Sequence, residues 1–144
     1  MKPKLTHIGL CVENIETSAA FYKRYVDLDV ISQRQENEMR VAWLGNPAVN
    51  STFIIVLLEM EHQQSESPSF HHLGLQVESK EEVDAIAQTA KQDGILIEDP
   101  ADHGPVAGYL CIVRDPDGNG VEFSYGQEVF KALSSSGAPS SSQT

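Results

Sequence analysis

The sequence predicts an α+β protein of two βαβββ units that form a curved, barrel-like mixed sheet with the helices on the outside. Two observations predict this fold. Residues 6–13 and 71–78 carry nearly the same motif, in which His7 aligns with His72. Each motif is followed by one helical pattern and three strand patterns.

The first unit spans about residues 5–60. Alternation of apolar and polar residues predicts a strand over 5–12. Asn14 is a good N-cap for a helix over 15–26. The remaining strands are predicted at 30–31, 39–44 and 52–60.

The second unit spans about residues 70–126 and repeats this order. A strand at 73–77 is followed by a capping box formed by Ser79 and Glu82. The helix that they open ends at Gly94. The rest of the unit is predicted as a strand at 95–97, a loop at 99–108, and strands at 109–114 and 121–125 joined by a turn at 115–120. Together the units predict a single domain over residues 1–130, with a linker at 61–69 and a disordered tail at 131–144.

Composition narrows the class of partner. The chain of 144 residues has a formal net charge of −11, which argues against nucleic acid because phosphate binding needs clustered Lys and Arg. No apolar run approaches the ~20 residues of a membrane span. No leader pattern opens the chain, so we expect a cytoplasmic protein. We expect its partner to be a small molecule. Cys11 and Cys111 lie in strand patterns and are expected to be buried thiols.

Alternation places three chemically active side chains on one kind of face. His7, His72 and Glu122 each lie opposite the apolar residues that face the helix of their unit. If the two sheets curl towards each other, these three side chains converge in a cleft. Glu59 lies in a run that is apolar on both faces, so alternation assigns it no side. His71 alternates to the helix face, where we expect it to pack or to be exposed.

Each half therefore offers one imidazole near its start and one carboxylate near its end. The pairs are His7 with Glu59 and His72 with Glu122. Two neutral imidazoles and two carboxylates balance the charge of a divalent cation, and the set suits Zn, Ni, Co, Mn or Fe(II). Such a metal polarises a carbonyl or holds two vicinal oxygens. Glu59 or Glu122, on partial release, could act as the base.

The chain resembles the vicinal oxygen chelate superfamily. The resemblance rests on the His-x-Gly-Leu openings, on residues 108–110 and on the ending at 114–123, and it covers roughly residues 5–126. The superfamily holds glyoxalase I, methylmalonyl-CoA epimerase, extradiol dioxygenases, fosfomycin-resistance enzymes and bleomycin-resistance proteins. The resemblance places His7, His72 and Glu122 at the usual metal-ligand positions, and Glu59 where glyoxalase-like members keep a fourth ligand and base. It also implies a homodimer, since two units usually pair within or between chains.

The resemblance favours a glyoxalase-like metalloenzyme, a lyase or isomerase acting on a small α-oxygenated carbonyl compound. Cys11 stands where many glutathione-dependent glyoxalases carry Arg, which argues against glutathione recognition. Two alternatives stay open, an Fe(II) extradiol dioxygenase and a non-catalytic binder of the drug-resistance type. Candidate substrate-binding residues are Arg40, Trp43, Tyr109 and Ser124.

Overall fold

A computed structural model of the protein describes residues 5–49, 53–61 and 70–135, without the side chains of 130, 131 and 135. These residues form two compact units. Unit 1 contains residues 5–61 and the distant turn Asp115–Gly118, and unit 2 contains residues 70–114 and 119–135. Most of the predicted linker, from residue 62 to 69, lies outside the described residues.

Unit 1 is a four-stranded sheet with one helix on it. Its elements are β1 (His7–Val12), α1 (Ile15–Val26), β2 (Asp29–Glu36), β3 (Met39–Gly45) and β4 (Ile54–Glu59). The strand order is β1-β4-β3-β2, with β1 parallel to β4 and the other pairs antiparallel. Helix α1 packs against β2, β3 and β4.

Helix α1 has the predicted bounds because its ends are set by local interactions. Asn14 Oδ1 accepts a hydrogen bond from the Thr17 N–H at 2.8 Å, and Asp27 ends the helix in the left-handed conformation at φ 57°. Strand β2 is longer than the predicted 30–31. Its added residues are polar and mostly exposed, so hydrophobic periodicity does not reveal them, and antiparallel pairing with β3 defines the strand instead.

Unit 2 repeats this arrangement and adds two short helices. Its elements are β5 (His72–Gln76), α2 (Lys80–Gln92), β6 (Leu96–Asp102), α3 (Gly104–Ala107), β7 (Tyr109–Arg114), β8 (Gly120–Tyr125) and α4 (Val129–Ser135). The strand order is β5-β8-β7-β6, with β5 parallel to β8, and α2 packs against β6, β7 and β8. The predicted α+β class with two βαβββ units is confirmed, and the described strands form two four-stranded sheets rather than one.

Unit 2 differs from the prediction at two places. Strand β6 and helix α3 occupy the segment 99–108, which was expected to be a loop. Pro100 is tolerated in β6 because this is an edge strand whose register shifts on either side of Glu98. Helix α4 continues to Ser135 within the segment predicted as a disordered tail, and residues 136–144 lie outside the described ranges. None of the helices in the described ranges has the length and apolar character to cross a bilayer.

The turn Asp115–Gly118 is held to helix α1 by its acidic side chains. The buried Tyr22 hydroxyl donates to Asp115 Oδ2 at 2.8 Å, and burial followed by the charge of Asp115 raises the pKa of this phenol. Asp117 Oδ2 accepts from the Ser18 hydroxyl at 3.1 Å, and Asp117 Oδ1 accepts from the Glu13 N–H at 2.9 Å. The turn motif therefore has a packing role in unit 1 as well as a conformational one.

Candidate functional site

His7 opens β1 on the face of the unit 1 sheet opposite helix α1. It pairs in register with Ile54, and the alternate residues Val56 and Leu58 of β4 share its face. Its Nδ1 lies 2.8 Å from the Thr6 hydroxyl oxygen. When Nδ1–H donates to this hydroxyl, the ring is in the tautomer whose Nε2 carries the lone pair that a metal needs.

A cavity of about 520 Å³ lies on this face of unit 1. It is lined by Thr6, His7, Ile31, Arg34, Glu36, Val41, Trp43, Ile54, Val56 and Leu58. Its charged residues interact with each other, since Arg34 Nε donates to Glu36 Oε1 at 2.6 Å. The Arg34 guanidinium also lies over the Trp43 ring, 4.8 Å from the ring centroid. Most of the other lining residues are apolar.

His72 and Glu122 lie together on the corresponding face of unit 2. Their side chains approach to 3.9 Å between Nε2 and Oε2, and Glu122 is only 7% exposed. His72 Nδ1 lies 2.7 Å from His71 Nδ1. If His72 donates to His71 here, its Nε2 lone pair faces the carboxylate, as in the tautomer of His7. Two donors that share a metal, each about 2.1 Å from it, lie within about 4 Å of one another, so this pair fits a divalent cation.

Gly74 leaves the space that the Glu122 carboxylate occupies. The two residues are paired across β5 and β8, and a Cβ built on Gly74 would lie 3.4 Å from Glu122 Oε2. A Cβ at this distance is in ordinary van der Waals contact, and a side chain that extends beyond Cβ would crowd the carboxylate. The glycine of the His-x-Gly motif therefore makes room for a carboxylate beside the imidazole.

Glu59 lies on the other face of its sheet from His7. It pairs with the fully buried Val12, and its Oε2 accepts from the Ile15 N–H at 3.0 Å, at the start of helix α1. Arg40 Nε donates to Glu59 Oε1 at 2.9 Å, and a second N–H of the same guanidinium donates to Oε2. Arg40, and then the Ile15 N–H, hold the pKa of Glu59 below its ordinary value. Metal binding by Glu59 stays a prediction, and both of its oxygens are engaged on the helix side.

Strand register identifies a different counterpart for Glu122 in unit 1. Gly74 pairs with Glu122, and Gly9, at the equivalent place in β1, pairs with Val56. The sequence alignment of Glu59 with Glu122 therefore differs from the register of the strands by three residues. Unit 1 has an apolar side chain where unit 2 has a carboxylate.

The four predicted substrate-binding residues lie in different surroundings. Trp43 lines the unit 1 cavity, whereas Arg40 binds Glu59 and forms two hydrogen bonds, of 2.6 and 2.9 Å, with Glu16. In unit 2 the Tyr109 hydroxyl donates to Asp84 at 2.5 Å, and Tyr109 lines a separate cavity of about 350 Å³. The remaining residue, Ser124, is 2% exposed.

The two cysteines differ in exposure to solvent. Cys111 is a buried thiol as expected, and burial raises its pKa to about 11. Cys11 is exposed rather than buried, because it shares the face of β1 that carries His7. Taken separately, neither unit holds a group of three or more His, Cys, Asp or Glu side chains placed for a metal within its described residues.

Sequence reasoning missed four residues near these sites. Arg34 and Glu36 lie in the polar part of β2, where the pattern predicted no strand. Thr6 and His71 both contact the imidazole that follows them in the chain. The signal that could have found Thr6 and His71 is their shared position in the two copies of the motif.

Two curated proteins are similar to the chain over most of its length. An uncharacterised protein of Pseudomonas aeruginosa is 35% identical over 128 residues, which cover 88% of this chain and 91% of that protein. The trivalent organoarsenical cleaving enzyme of a Bacillus species (strain MD1) is 28% identical over 129 residues, covering 85% of this chain and 73% of the enzyme.

The fold is also found among solved structures. A mutant of the fosfomycin-resistance protein FosX from Listeria monocytogenes, solved with Mn(II) and a dihydroxypropylphosphonic acid, superposes with a TM-score of 0.70. The match covers 92% of this chain and 99% of that one, at 19% identity. The sequence profile of one family matches residues 4–123, nearly the whole described part of the chain. The resemblance seen in the sequence is confirmed: the chain belongs to the Glyoxalase/Bleomycin resistance protein/Dioxygenase superfamily.

Proposed function

We propose that the protein is a metal-dependent enzyme of the glyoxalase type, a lyase or isomerase acting on a small α-oxygenated carbonyl compound. The observation that carries this proposal is the pairing of His72 Nε2 with the largely buried Glu122 carboxylate at 3.9 Å. We assign His7, His72 and Glu122 as the metal ligands. A divalent ion bound there supplies a Lewis acid that polarises neighbouring oxygens.

The chain's own groups have distinct roles in this proposal. Thr6 and His71 accept from Nδ1 of the following imidazole, so that each Nε2 keeps its lone pair. Glu122 takes the proton from the carbon next to the carbonyl, because its carboxylate is one of the two donors of the proposed metal site. Glu59 binds Arg40 and the start of helix α1, so we assign it a positioning role instead of the ligand and base roles suggested by the sequence.

One of the relatives supports a catalytic role. The Bacillus relative is named as a cleaving enzyme, and it matches most of this chain. The Listeria protein supports the fold, and its own structure contains Mn(II). A homodimer stays part of the proposal on the strength of the family resemblance, and the cytoplasmic location stays a prediction from the sequence.

Metal content is the first test. Protein purified without chelators should contain about one divalent ion per chain, and adding Ni, Zn, Co or Mn to stripped protein should raise its Tm. His72→Ala and Glu122→Ala should abolish both effects. The matched control is His103→Ala, which changes the residue before helix α3 and should abolish neither effect. A wild-type protein with no stoichiometric metal and no gain in Tm would refute the proposal.

An Fe(II) extradiol dioxygenase is the second candidate, and the engagement of Glu59 by Arg40 favours it. Without Glu59 the predicted ligands are two His and one carboxylate, the set typical of non-haem Fe(II) oxygenases. This candidate predicts oxygen uptake with catechols after anaerobic iron loading, and Glu59→Gln should retain that activity. Turnover of a hemithioacetal with no response to any catechol would decide for the first candidate.

A further inference from the structure

The cavity on the His7 face of unit 1 is an apolar pocket with one exposed aromatic ring. Its apolar lining residues are Ile31, Val41, Trp43, Ile54, Val56 and Leu58. Val41, two residues before Trp43 in β3, is 1% exposed, and Val56, the partner of Trp43 in β4, is 8% exposed. Trp43 itself is 36% exposed. Trp43 is thus the exposed aromatic side chain of this cavity and, together with Ile31 at 46% exposed, offers apolar surface that a ligand could cover.

The charges at this cavity do not favour an anionic ligand. Among the described residues that line it, Arg34 is the one Lys or Arg side chain. Its guanidinium donates to Glu36 at 2.6 Å and lies over the Trp43 ring. A carboxylate or phosphonate entering the cavity would lose water and would have to compete with Glu36 for Arg34. A neutral ligand avoids both costs.

The strand register adds a second argument for an apolar ligand. Val56 occupies the place next to Gly9 that Glu122 occupies next to Gly74 in unit 2. Unit 1 thus presents an imidazole beside an apolar wall, where unit 2 presents an imidazole beside a carboxylate. Gly9 has no side chain, so no side chain at this position separates a ligand from the backbone between His7 and Val56.

From these features we propose that the cavity binds a neutral aromatic group, which packs against Trp43 and places its oxygen-bearing end towards His7. Offset or edge-on packing against an indole is favourable for another ring. The inference rests on the proposed function for the oxygen end, and it specifies the substrate class as neutral aryl α-oxygenated carbonyl compounds.

A matched set of three probes tests this class. The probes are 2-hydroxyacetophenone, which is neutral and aromatic, hydroxyacetone, which lacks the ring, and phenylglyoxylate, which keeps the ring but is anionic. Trp43 is the only tryptophan in the chain, so quenching of its fluorescence reports binding directly. Calorimetry on metal-free protein gives the affinities, and wild type should bind 2-hydroxyacetophenone at least about 10-fold tighter than either other probe.

Three variants separate the ring from the charge, and a fourth is their control. Trp43→Ala should weaken the binding of 2-hydroxyacetophenone about 10-fold. Trp43→Leu keeps apolar packing but removes the ring, so it should also weaken this binding. Glu36→Gln leaves Arg34 without its carboxylate partner and should strengthen phenylglyoxylate binding. Tyr125→Ala removes an exposed aromatic residue of unit 2 and should change none of the affinities. Thermal melting identifies any variant that fails to fold.

The outcomes distinguish this inference from the proposed function. Equal or tighter binding of hydroxyacetone or phenylglyoxylate by the wild type overturns the inference, as does unchanged binding in folded Trp43→Leu. Metal-dependent turnover without a preference for aryl compounds refutes the inference alone. A preserved aryl preference in a protein that takes up no metal refutes the proposed function alone.

Discussion

The two units have the same strand order but carry different chemistry at a structurally equivalent position. In each, the first strand is parallel to the last and begins with His-x-Gly. The glycine pairs with Val56 in unit 1 and with Glu122 in unit 2. The fold thus sets where the position lies, and the residue there sets its chemistry. Unit 1 has an apolar cavity beside its imidazole, and unit 2 has a pair of metal-type donors.

Val56→Glu should have the largest effect on stability. The substitution gives unit 1 the residue of unit 2, but Val56 is 8% exposed and its neighbours are apolar. A carboxylate buried there would have only the His7 imidazole beside it, as Glu122 has His72, so it should lower the free energy of unfolding by about 3 kcal/mol. Urea denaturation of metal-free protein at neutral pH measures the change.

Val56→Gln is the control for the size of the new side chain. It carries no charge, so it should cost clearly less than Val56→Glu. Equal costs would mean that steric fit, and not the charge, distinguishes this position from that of Glu122.

Glu122→Val is the reciprocal change and should affect metal binding and stability in opposite directions. Loss of a ligand should weaken metal binding by about 100-fold or more, beyond the range seen for groups that only orient ligands. The metal-free protein should gain about 1 kcal/mol, since a largely buried carboxylate gives way to an apolar residue in a strand. Calorimetric titration with Zn and urea denaturation measure the two effects. A destabilised metal-free variant would show that Glu122 stabilises the fold.

Thr6→Val and His71→Phe should each weaken metal binding about 10-fold. Each removes the group that lies against Nδ1 of the following imidazole, at 2.8 Å in unit 1 and 2.7 Å in unit 2. Thr6→Ser and His71→Gln keep an acceptor and should restore most of the affinity, which a general loss of folding could not explain. A response to only one substitution would mean that the two copies of the motif do not hold their imidazoles alike.

The parts of this comparison that the sequence predicted are the ones set by local interactions. The bounds of α1 and β7 agree with the prediction, because caps, turns and periodicity act over a few residues. The side of Glu59 could not be predicted, since its strand is apolar on both faces and its orientation depends on pairing with Val12 far along the chain. The same long-range register places Val56, rather than Glu59, opposite the glycine of the motif.

The smallest predicted effect concerns the way each unit holds its first helix. Ser79 and Glu82 supply the side-chain hydrogen bonds at the N-terminus of α2. In unit 1 Asn14 caps α1, and Glu59 also binds the start of this helix and is linked through Arg40 to Glu16. Arg40 lowers the pKa of Glu16 from 4.5 to about 2 and also lowers that of Glu59. Because both pKa values are lower in the folded chain, their stabilisation is complete above about pH 4.5 and is lost as the pH falls towards 2.

Arg40→Gln should therefore flatten the fall in stability between pH 4.5 and 2, followed as the urea midpoint at each pH. Arg114→Gln is the matched control, because Arg114 lies in unit 2 and contacts the Gly94 carbonyl at 3.4 Å. The slope should change only in the Arg40 variant. These side chains are exposed or partly exposed, and ion pairs in such places contribute little each, so the change should be smaller than that at Val56. An unchanged acid profile in the Arg40 variant would mean that unit 1 does not depend on this cluster to hold α1.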